Sequence, residues 1–360
     1  MYAFVDRSLW NKGVLTISFW YVLLAFLVFG VLIFIHELGH YICARLCGVG
    51  VNEFSIGMGP KVFSRTSKKT GIQYSIRMLP IGGYVSMVGE DEESDRQDAF
   101  GRCAIWKRIL IVVAGPVMNL LLGFIAMLVM VLSTGVLGGT QIVYDPSAAI
   151  SVSDASGLDS GDVILKVGRV RVHTGNELVY EISHQGSEPV DITVLREGQK
   201  TVIEDVLFPT VSTGGAVFGK YDFKVMREEF GVGTVIKHTV FRSLSTVKMI
   251  VDSFVDLLLG KYGVESMSGP VGITQTMGEA AKGGFSNFLY IFVVITINLG
   301  VFNLFPIPAL DGGRLLFLLI ELVTRRPVNK NVEGLVHFIG LILMLGLIAF
   351  VTFNDIVRLF

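Results

Sequence analysis

Four long stretches without a charged side chain constrain this sequence most strongly. Among its 360 residues, Asp, Glu, Lys and Arg are absent from 13–35, 109–144, 283–310 and 334–354. A helix needs about 20 apolar residues to cross the hydrocarbon core of a bilayer, and every stretch reaches that length. The pattern therefore predicts four transmembrane helices, near 15–43, 105–134, 286–322 and 335–353. With 51% hydrophobic and only 17% charged residues, the chain is also too apolar to be intrinsically disordered.

The polar segments between these stretches differ in charge. Residues 45–108 carry ten Lys and Arg against seven Asp and Glu, whereas residues 140–284 carry thirteen against eighteen. The short link 324–331 adds three basic residues and no acidic one. Because basic loops remain in the cytoplasm, we expect 45–108 and 324–331 to be cytoplasmic, and 140–284 and both termini to lie outside. The net charge of −1 provides no field for a nucleic-acid partner.

The outer segment is predicted to be rich in β-structure. Residues 162–167 and 190–196 are strand-like runs between turn residues, and 177–183 fits a short helix. Residues 231–259 instead place apolar groups at helical spacing, interrupted by charges. This last segment predicts an amphipathic helix that lies on the bilayer or on the membrane helices.

The first apolar stretch ends in the sequence His36-Glu37-Leu38-Gly39-His40. Residues four apart share one face of a helix, so His36 and His40 can offer two imidazoles to one metal ion. Zinc suits such ligands, and Glu37 lies close enough to act as a base. Ionisable groups inside a membrane are costly and usually mark function. The alternative is a polar cluster at a helix end, with histidines that bond to their neighbours.

A zinc site of this kind needs a third ligand, and Asp311 is the candidate. It follows a long apolar run and two prolines, Pro306 and Pro308, which should break the third membrane helix. A broken helix is tolerated in a membrane where protein or a cavity receives its backbone, so an acidic residue beside the break can be a ligand. Alternatively, Asp311 only caps a helix that starts at Gly312.

Together these motifs resemble the site-2 protease family of intramembrane zinc metalloproteases, and within it the bacterial RseP type. Four further segments match that branch in order: PIGGYVSMVGE at 80–90, AGPVMN at 114–119, SGPVGI at 268–273 and NLFPIPALDGG at 303–313. As a set spread over nearly the whole chain, they are specific for the family. Arg314, directly after the last motif, departs from the family pattern and is expected to be neutral for the chemistry.

The resemblance implies a set of site residues. His36, His40 and Asp311 would bind one zinc ion per chain, and Glu37 would be the catalytic base. A membrane-reentrant β-structure at 72–90 would hold an unwound substrate as an added strand, although an ordinary cytoplasmic hairpin is the alternative. The expected substrate-binding residues are Gly82, Gly83, Tyr84, Asn119, Asn298, Asn303, Pro306 and Pro308. The three asparagines could instead join membrane helices to each other.

Residues 155–170, ASGLDSGDVILKVGRV, are similar to part of a PDZ domain. One such domain is expected, which would exclude bulky substrates or capture peptides, whereas proteobacterial RseP proteins have two. The predicted fold is a polytopic α-helical membrane protein of about four transmembrane helices, with a membrane-associated β-hairpin region and an inserted extracytoplasmic α+β PDZ domain. Its parts are an N-terminal membrane part at 1–139, the PDZ domain at 140–212, an amphipathic helical linker at 213–284 and a C-terminal membrane part at 285–360.

The implied function is regulated intramembrane proteolysis in the bacterial cytoplasmic membrane, on a multi-pass protein. The substrates would be single-span membrane proteins such as anti-sigma factors, and remnant signal peptides. The oligomeric state, the natural substrate and any need for a prior cleavage stay open. A PDZ-bearing membrane adaptor is one alternative, and it would need neither Glu37 nor a metal. A zinc transporter or channel is another, but the first, second and fourth stretches contain few polar residues to line a path.

Overall fold

Within the part of the chain that the structure describes, four helices are long and apolar enough to cross a membrane, as the charge-free stretches predict. A computed structural model of the chain describes residues 19–90, 94–147, 150–213, 216–261, 263 and 267–357. The four helices are α1 (Phe19–Cys47), α2 (Ile105–Thr134), α7 (Phe285–Leu304) and α9 (Lys330–Val357). The predicted start of the first span, at 15–18, and the predicted placement of the two termini fall outside the described residues.

The third apolar stretch is shorter as a helix than the sequence predicts. The predicted span near 286–322 is in fact two helices, α7 and a separate α8 (Asp311–Thr324). Pro306 and Pro308 lie in the turn between them, as expected, because proline lacks the N–H that a continuing helix would use. The break places Asp311 at the first turn of α8.

The first polar loop forms a curled sheet from two long antiparallel strands, β1 (Val51–Thr66) and β2 (Gln73–Met87). The sheet curls because the first half of β1 has partners on both sides. Ser55, for example, is aligned with Tyr84 on one side and with Ser75 on the other. The β-structure predicted for 72–90 is therefore present.

The two strands of this sheet pair more extensively than those of a simple hairpin. Residues 72–78 and 84–88 belong almost entirely to one strand, β2, and each half pairs with β1. Gly82 has a φ of 87°, a conformation that favours glycine, at the point where β2 bends between its two halves.

The chain divides into two compact units. One comprises 1–118, 267–284 and 302–360, and the other comprises 119–266 and 285–301. The first unit contains α1, the curled sheet, α8, α9 and a further helix, α6 (Pro270–Lys282), which contacts α1 and α9.

The second unit contains a six-stranded sheet in the order β10-β3-β4-β6-β7, with β5 paired to β4. Its strands are β3 (Leu137–Val143), β4 (Val163–Val167), β5 (Val170–Arg171), β6 (Val190–Arg196), β7 (Gln199–Val206) and β10 (Lys224–Glu228). A separate small hairpin joins β8 (Thr210–Thr213) and β9 (Ala216–Gly219), and the helices are α3 (Val152–Ala155) and α4 (Gly175–Gln185). Fully buried apolar side chains form its core: Ile142, Leu158, Ile164, Val167, Leu178, Ile182, Ile192, Val194 and Val206.

The predicted amphipathic helix is α5 (Val232–Leu258), and its charges contact α4. Tyr180 donates a hydrogen bond to Asp252 at 2.8 Å, and Lys248 lies 2.9 Å from the Glu181 carboxylate. These contacts lie within the second unit, and the predicted placement of α5 on the bilayer or the membrane helices stays a prediction. The segment predicted as a helical linker, 213–284, also contains β9 and β10, so it contributes a strand to the large sheet.

Candidate active site

The first helix brings its two histidines together, as their spacing predicts. The Nε2 atoms of His36 and His40 lie 3.2 Å apart, and both residues are less than a tenth exposed. The Nδ1 atom of His40 lies 2.8 Å from the carbonyl oxygen of Ile111 on α2, to which it can donate a hydrogen bond. That bond fixes the ring and leaves Nε2 as the electron-pair donor, which is how proteins orient a histidine toward a metal.

Asp311 completes this cluster from the start of α8. Its Oδ2 atom lies 3.0 Å from Nε2 of His36 and 3.3 Å from Nε2 of His40. The same oxygen is buried and has no partner in hydrogen-bonding geometry. The N-cap of α8 is Leu310, and no side chain caps the helix, so the structure does not give Asp311 the capping role considered from the sequence.

The three side chains fit a zinc ion. Among the described residues they form the one group of three potential ligands whose donor atoms all lie within 4.8 Å of one another. Two imidazole nitrogens and one carboxylate oxygen are a donor set that zinc favours. A buried carboxylate oxygen without a hydrogen bond is costly, and a cation beside it would offset that cost.

The turn before Asp311 is held tightly. A Cβ atom on Gly312 would lie 1.9 Å from the carbonyl oxygen of Phe305, so only glycine allows this backbone to pass. Ala309 adopts a left-handed conformation, with a φ of 71°, and donates its backbone N–H to Nδ1 of His337 at 3.0 Å. His337 therefore supports the turn that positions Asp311.

Glu37 faces the curled sheet across a small cavity. The cavity has a volume of about 140 Å³ and is lined by His36, Glu37, His40, Val85, Met87, Glu90, Val112, Asp311 and Arg314. A Cβ atom on Gly83 would lie 3.2 Å from Cγ of Glu37 and 2.8 Å from the carbonyl oxygen of Ser55. The second half of β2 therefore lies directly against Glu37.

Two charged residues at this cavity were not predicted as site residues. Arg314 and Glu90 form an ion pair, and the other carboxylate oxygen of Glu90 accepts a long hydrogen bond of 3.4 Å from the backbone N–H of Met87. Glu90 thus connects the end of β2 to the helix that carries Asp311. The sequence signal was available, because Arg314 follows Asp311 by three residues and so lies near it on the helix surface.

The remaining predicted substrate-binding residues have varied surroundings. Tyr84 donates a hydrogen bond of 2.8 Å to the buried carboxylate of Glu53, and Arg77 and Lys61 pair with the same group. Burial alone would raise the pKa of Glu53, but the hydrogen bonds from these groups and from Ser75 lower it to about 2.

Other predicted residues are spread over both units. Gly82 approaches the Met58 side chain, and Asn303, Pro306 and Pro308 lie at the end of α7 and in the turn that follows. Asn119 is buried on α2 and Asn298 is half-buried on α7, both in the second unit. Their contact with a substrate stays a prediction.

Comparisons with known proteins find relatives over nearly the whole chain. Residues 24–347 match the family described as peptidase family M50. A protein from Clostridium acetobutylicum, named for zinc metalloprotease activity, is 36% identical, and the match covers 94% of this chain and 98% of the relative. The zinc metalloprotease RasP of Geobacillus kaustophilus is 30% identical over 92% of this chain and 97% of its own. The regulator of sigma-W protease RasP of Bacillus subtilis is 28% identical over 93% and 97%.

Proposed function

The chain belongs to peptidase family M50 and is an intramembrane zinc metalloprotease, and from that premise we propose that His36, His40 and Asp311 hold its zinc ion while Glu37 acts as the catalytic base. The observation that carries this assignment is the convergence of three donor atoms from two helices, with Oδ2 of Asp311 within 3.3 Å of both histidine nitrogens. One zinc ion per chain satisfies this site.

Each residue has a distinct part in the reaction. Zinc, when bound, supplies a Lewis acid that polarises a carbonyl and makes water a better nucleophile. Glu37 takes the proton of the attacking water and delivers it to the leaving nitrogen. His40 is held in the required tautomer by the carbonyl oxygen of Ile111, so its Nε2 stays available. Glu37 can reach both the attacking water and the leaving nitrogen, because it lies between the histidine cluster and the edge of β2.

The substrate binds along the second half of β2. Residues 83–87 pair with β1 on one side, and among the described residues no other strand pairs with them. An extended peptide can add to such an edge through main-chain hydrogen bonds. A strand placed there would lie next to Glu37, because Gly83 leaves no side chain between them. Membrane-spanning segments must unwind before they can bind in this way, since a helix already uses its backbone groups.

We assign the substrate class to single-span membrane proteins, including anti-sigma factors and remnant signal peptides. One relative is named as a regulator of sigma-W protease, which favours the first group. Residues 140–212 would form a PDZ domain on the extracytoplasmic side of a bacterial cytoplasmic membrane, because the basic loop 45–108 stays inside. The sheet of β3, β4, β6 and β7 with α4 is compatible with such a domain.

The proposal is tested by cleavage of a reporter helix in lipid vesicles. The native chain should cut a single-span reporter within its apolar segment, and Glu37→Gln should reduce the rate about a thousandfold. The variant should keep the zinc content of the native chain, because Glu37 is not a ligand. Glu188→Gln, which changes an exposed acid of the second unit, is the matched control and should cleave at the native rate.

Two outcomes would contradict the proposal in different ways. Native-like cleavage by Glu37→Gln would show that Glu37 is not the base. The zinc-loaded native chain could instead cut unfolded soluble peptides but no member of a panel of helical reporters. That result would show that membrane segments are not its substrates.

A further inference from the structure

The turn between β1 and β2 encloses a second, larger concavity, separate from the cavity beside Glu37. Its volume is about 520 Å³, and its lining combines two aromatic rings with three cations: Phe63, Arg65, Thr66, Ser67, Lys68, Lys69 and Tyr74. We propose that this concavity binds an anionic phospholipid of the cytoplasmic leaflet, with the phosphate against the cations and an acyl chain against the rings. The inference relies on the cytoplasmic placement of residues 45–108 and is independent of the proteolytic step.

The charge of the turn favours an anionic ligand. From residue 54 to residue 89 the sequence contains five basic residues and no acidic one. Two of them, Lys61 and Arg77, pair with the buried carboxylate of Glu53, which offsets one of their two charges. In the part of the chain that the structure describes, Arg65, Lys68 and Lys69 form no ion pair and are exposed. The cations without an acidic partner are therefore those that line the concavity.

The path of β1 brings this turn back toward the end of α1, which the predicted topology puts at the phospholipid headgroups. The strand starts beside the cytoplasmic end of α1 and runs back along that helix, so that Ile56 is aligned with Gly83, which faces Glu37. It then returns, because Lys61 is aligned with Arg77 and Thr66 with Gln73. The turn at 67–72 is thus brought back toward the end of α1.

The packing beneath the turn also indicates that the turn lies near the end of α1. Ile72 is buried in one cluster with Ala44, near the end of α1, and with Val49, just beyond it. The hydroxyl groups of Tyr74 and Tyr41 lie 2.7 Å apart, so the floor of the concavity is tied to α1 one residue after His40. The cations therefore lie near the polar end of the helix, while the opposite end of the sheet lies closer to the histidines.

Apolar side chains beside the cations distinguish a lipid from a soluble acidic partner. Val62 is 70% exposed and Phe63 59%, and both lie on β1 a few residues before the turn. A nucleic acid or an acidic peptide would leave these side chains in water. A phospholipid covers both kinds of surface, because basic residues near a membrane attract anionic headgroups and the apolar side chains enter the acyl region.

Hydrogen–deuterium exchange of the full chain in nanodiscs tests the proposal. Amides of residues 63–74 should exchange about tenfold more slowly in discs that contain equal amounts of phosphatidylglycerol and phosphatidylcholine than in phosphatidylcholine alone. Inorganic phosphate added to phosphatidylcholine discs should not reproduce the protection, because it lacks the acyl chain. Amides of residues 190–206, in the second unit, should exchange equally in both lipids and report that the protein is folded.

Paired variants decide whether the cations are responsible. Lys68→Gln with Lys69→Gln should abolish the difference between the two lipids, whereas Lys200→Gln with Lys220→Gln, the same charge change on exposed lysines of the second unit, should keep it. Equal exchange of 63–74 in both lipids for the native chain would overturn the proposal. Protection by phosphate alone would identify a simple anion site, and protection that survives in the Lys68 and Lys69 variant would show that the turn is not the site.

Discussion

Asp162 in the second unit and Asp311 in the first unit have opposite surroundings. In the second unit Asp162 is 1% exposed, and Arg196 donates to both of its oxygens at 2.8 and 2.7 Å. In the first unit Asp311 meets two histidines, and its Oδ2 atom has no hydrogen bond. A carboxylate that is fully paired within the protein has a structural role. A carboxylate oxygen that has no hydrogen bond and lies beside two imidazole nitrogens is suited to a cation.

The largest expected effect concerns Asp311, whose Oδ2 atom has no hydrogen bond. Asp311→Asn should abolish measurable cleavage and lower zinc affinity by at least about a hundredfold, because an amide oxygen carries no charge to hold the metal. Zinc content after dialysis, measured beside cleavage of the reporter helix, checks both effects. The matched control is Asp162→Asn, which should keep its zinc. Full activity in Asp311→Asn would show that another residue is the third ligand.

The next effect concerns the pair of Asp162 and Arg196. Arg196→Gln leaves the Asp162 carboxylate buried without its partner, which should lower the free energy of unfolding of the second unit by about 3 kcal/mol. Thermal or denaturant unfolding of the full chain, followed by hydrogen exchange in residues 190–206, measures the loss. Zinc content should stay at the native level. A variant as stable as the native chain would mean that the pair is not structural.

A smaller effect concerns the approach of the sheet to Glu37. Gly83→Ala introduces a methyl group 2.8 Å from the Ser55 carbonyl oxygen, so β1 or β2 must shift beside the base. We expect a loss of about tenfold in kcat/KM with normal zinc content, because small misplacement of a catalytic geometry is costly. Gly231→Ala is the control, since a Cβ atom there meets nothing within 4 Å. Equal losses in the two variants would contradict this explanation.

The smallest effect concerns the ion pair between Glu90 and Arg314. Replacing either residue with neutral glutamine, Glu90→Gln or Arg314→Gln, should lower cleavage several-fold, because β2 is then less firmly held to α8. If the pair acts as one unit, the double variant should lose no more activity than each single variant. Additive losses would show that the two residues act separately.

Much of the membrane architecture and of the zinc cluster could be predicted from local patterns. The absence of charge over four stretches identified the spans, and the spacing of His36 and His40 identified their shared face. Asp311 taken alone was explained equally by a helix cap, and the need of the two histidines for a third ligand favoured coordination. The prolines showed where α7 would end, but not that α8 would be a separate helix outside the four candidate spans.

Features that depend on distant contacts could not be predicted. The bond between His40 and Ile111 joins residues 71 positions apart, and the pair of Glu90 and Arg314 joins residues 224 positions apart. Nothing in the local pattern at 72–90 shows that both halves of β2 pair with β1. The contacts between α5 and α4 could not be predicted for the same reason. An amphipathic pattern shows which face of a helix is apolar, but not which residues its charges will contact.

The most direct test of the central claim is zinc X-ray absorption of the purified full chain. We predict one zinc ion per chain, with a first shell of nitrogen and oxygen at about 2.0–2.2 Å and the multiple-scattering signature of two imidazoles. A shell at about 2.3 Å would indicate sulfur, and therefore binding by Cys43, Cys47 or Cys103 instead. Sulfur ligation, or a zinc ion with no imidazole signal, would contradict the assignment of His36, His40 and Asp311.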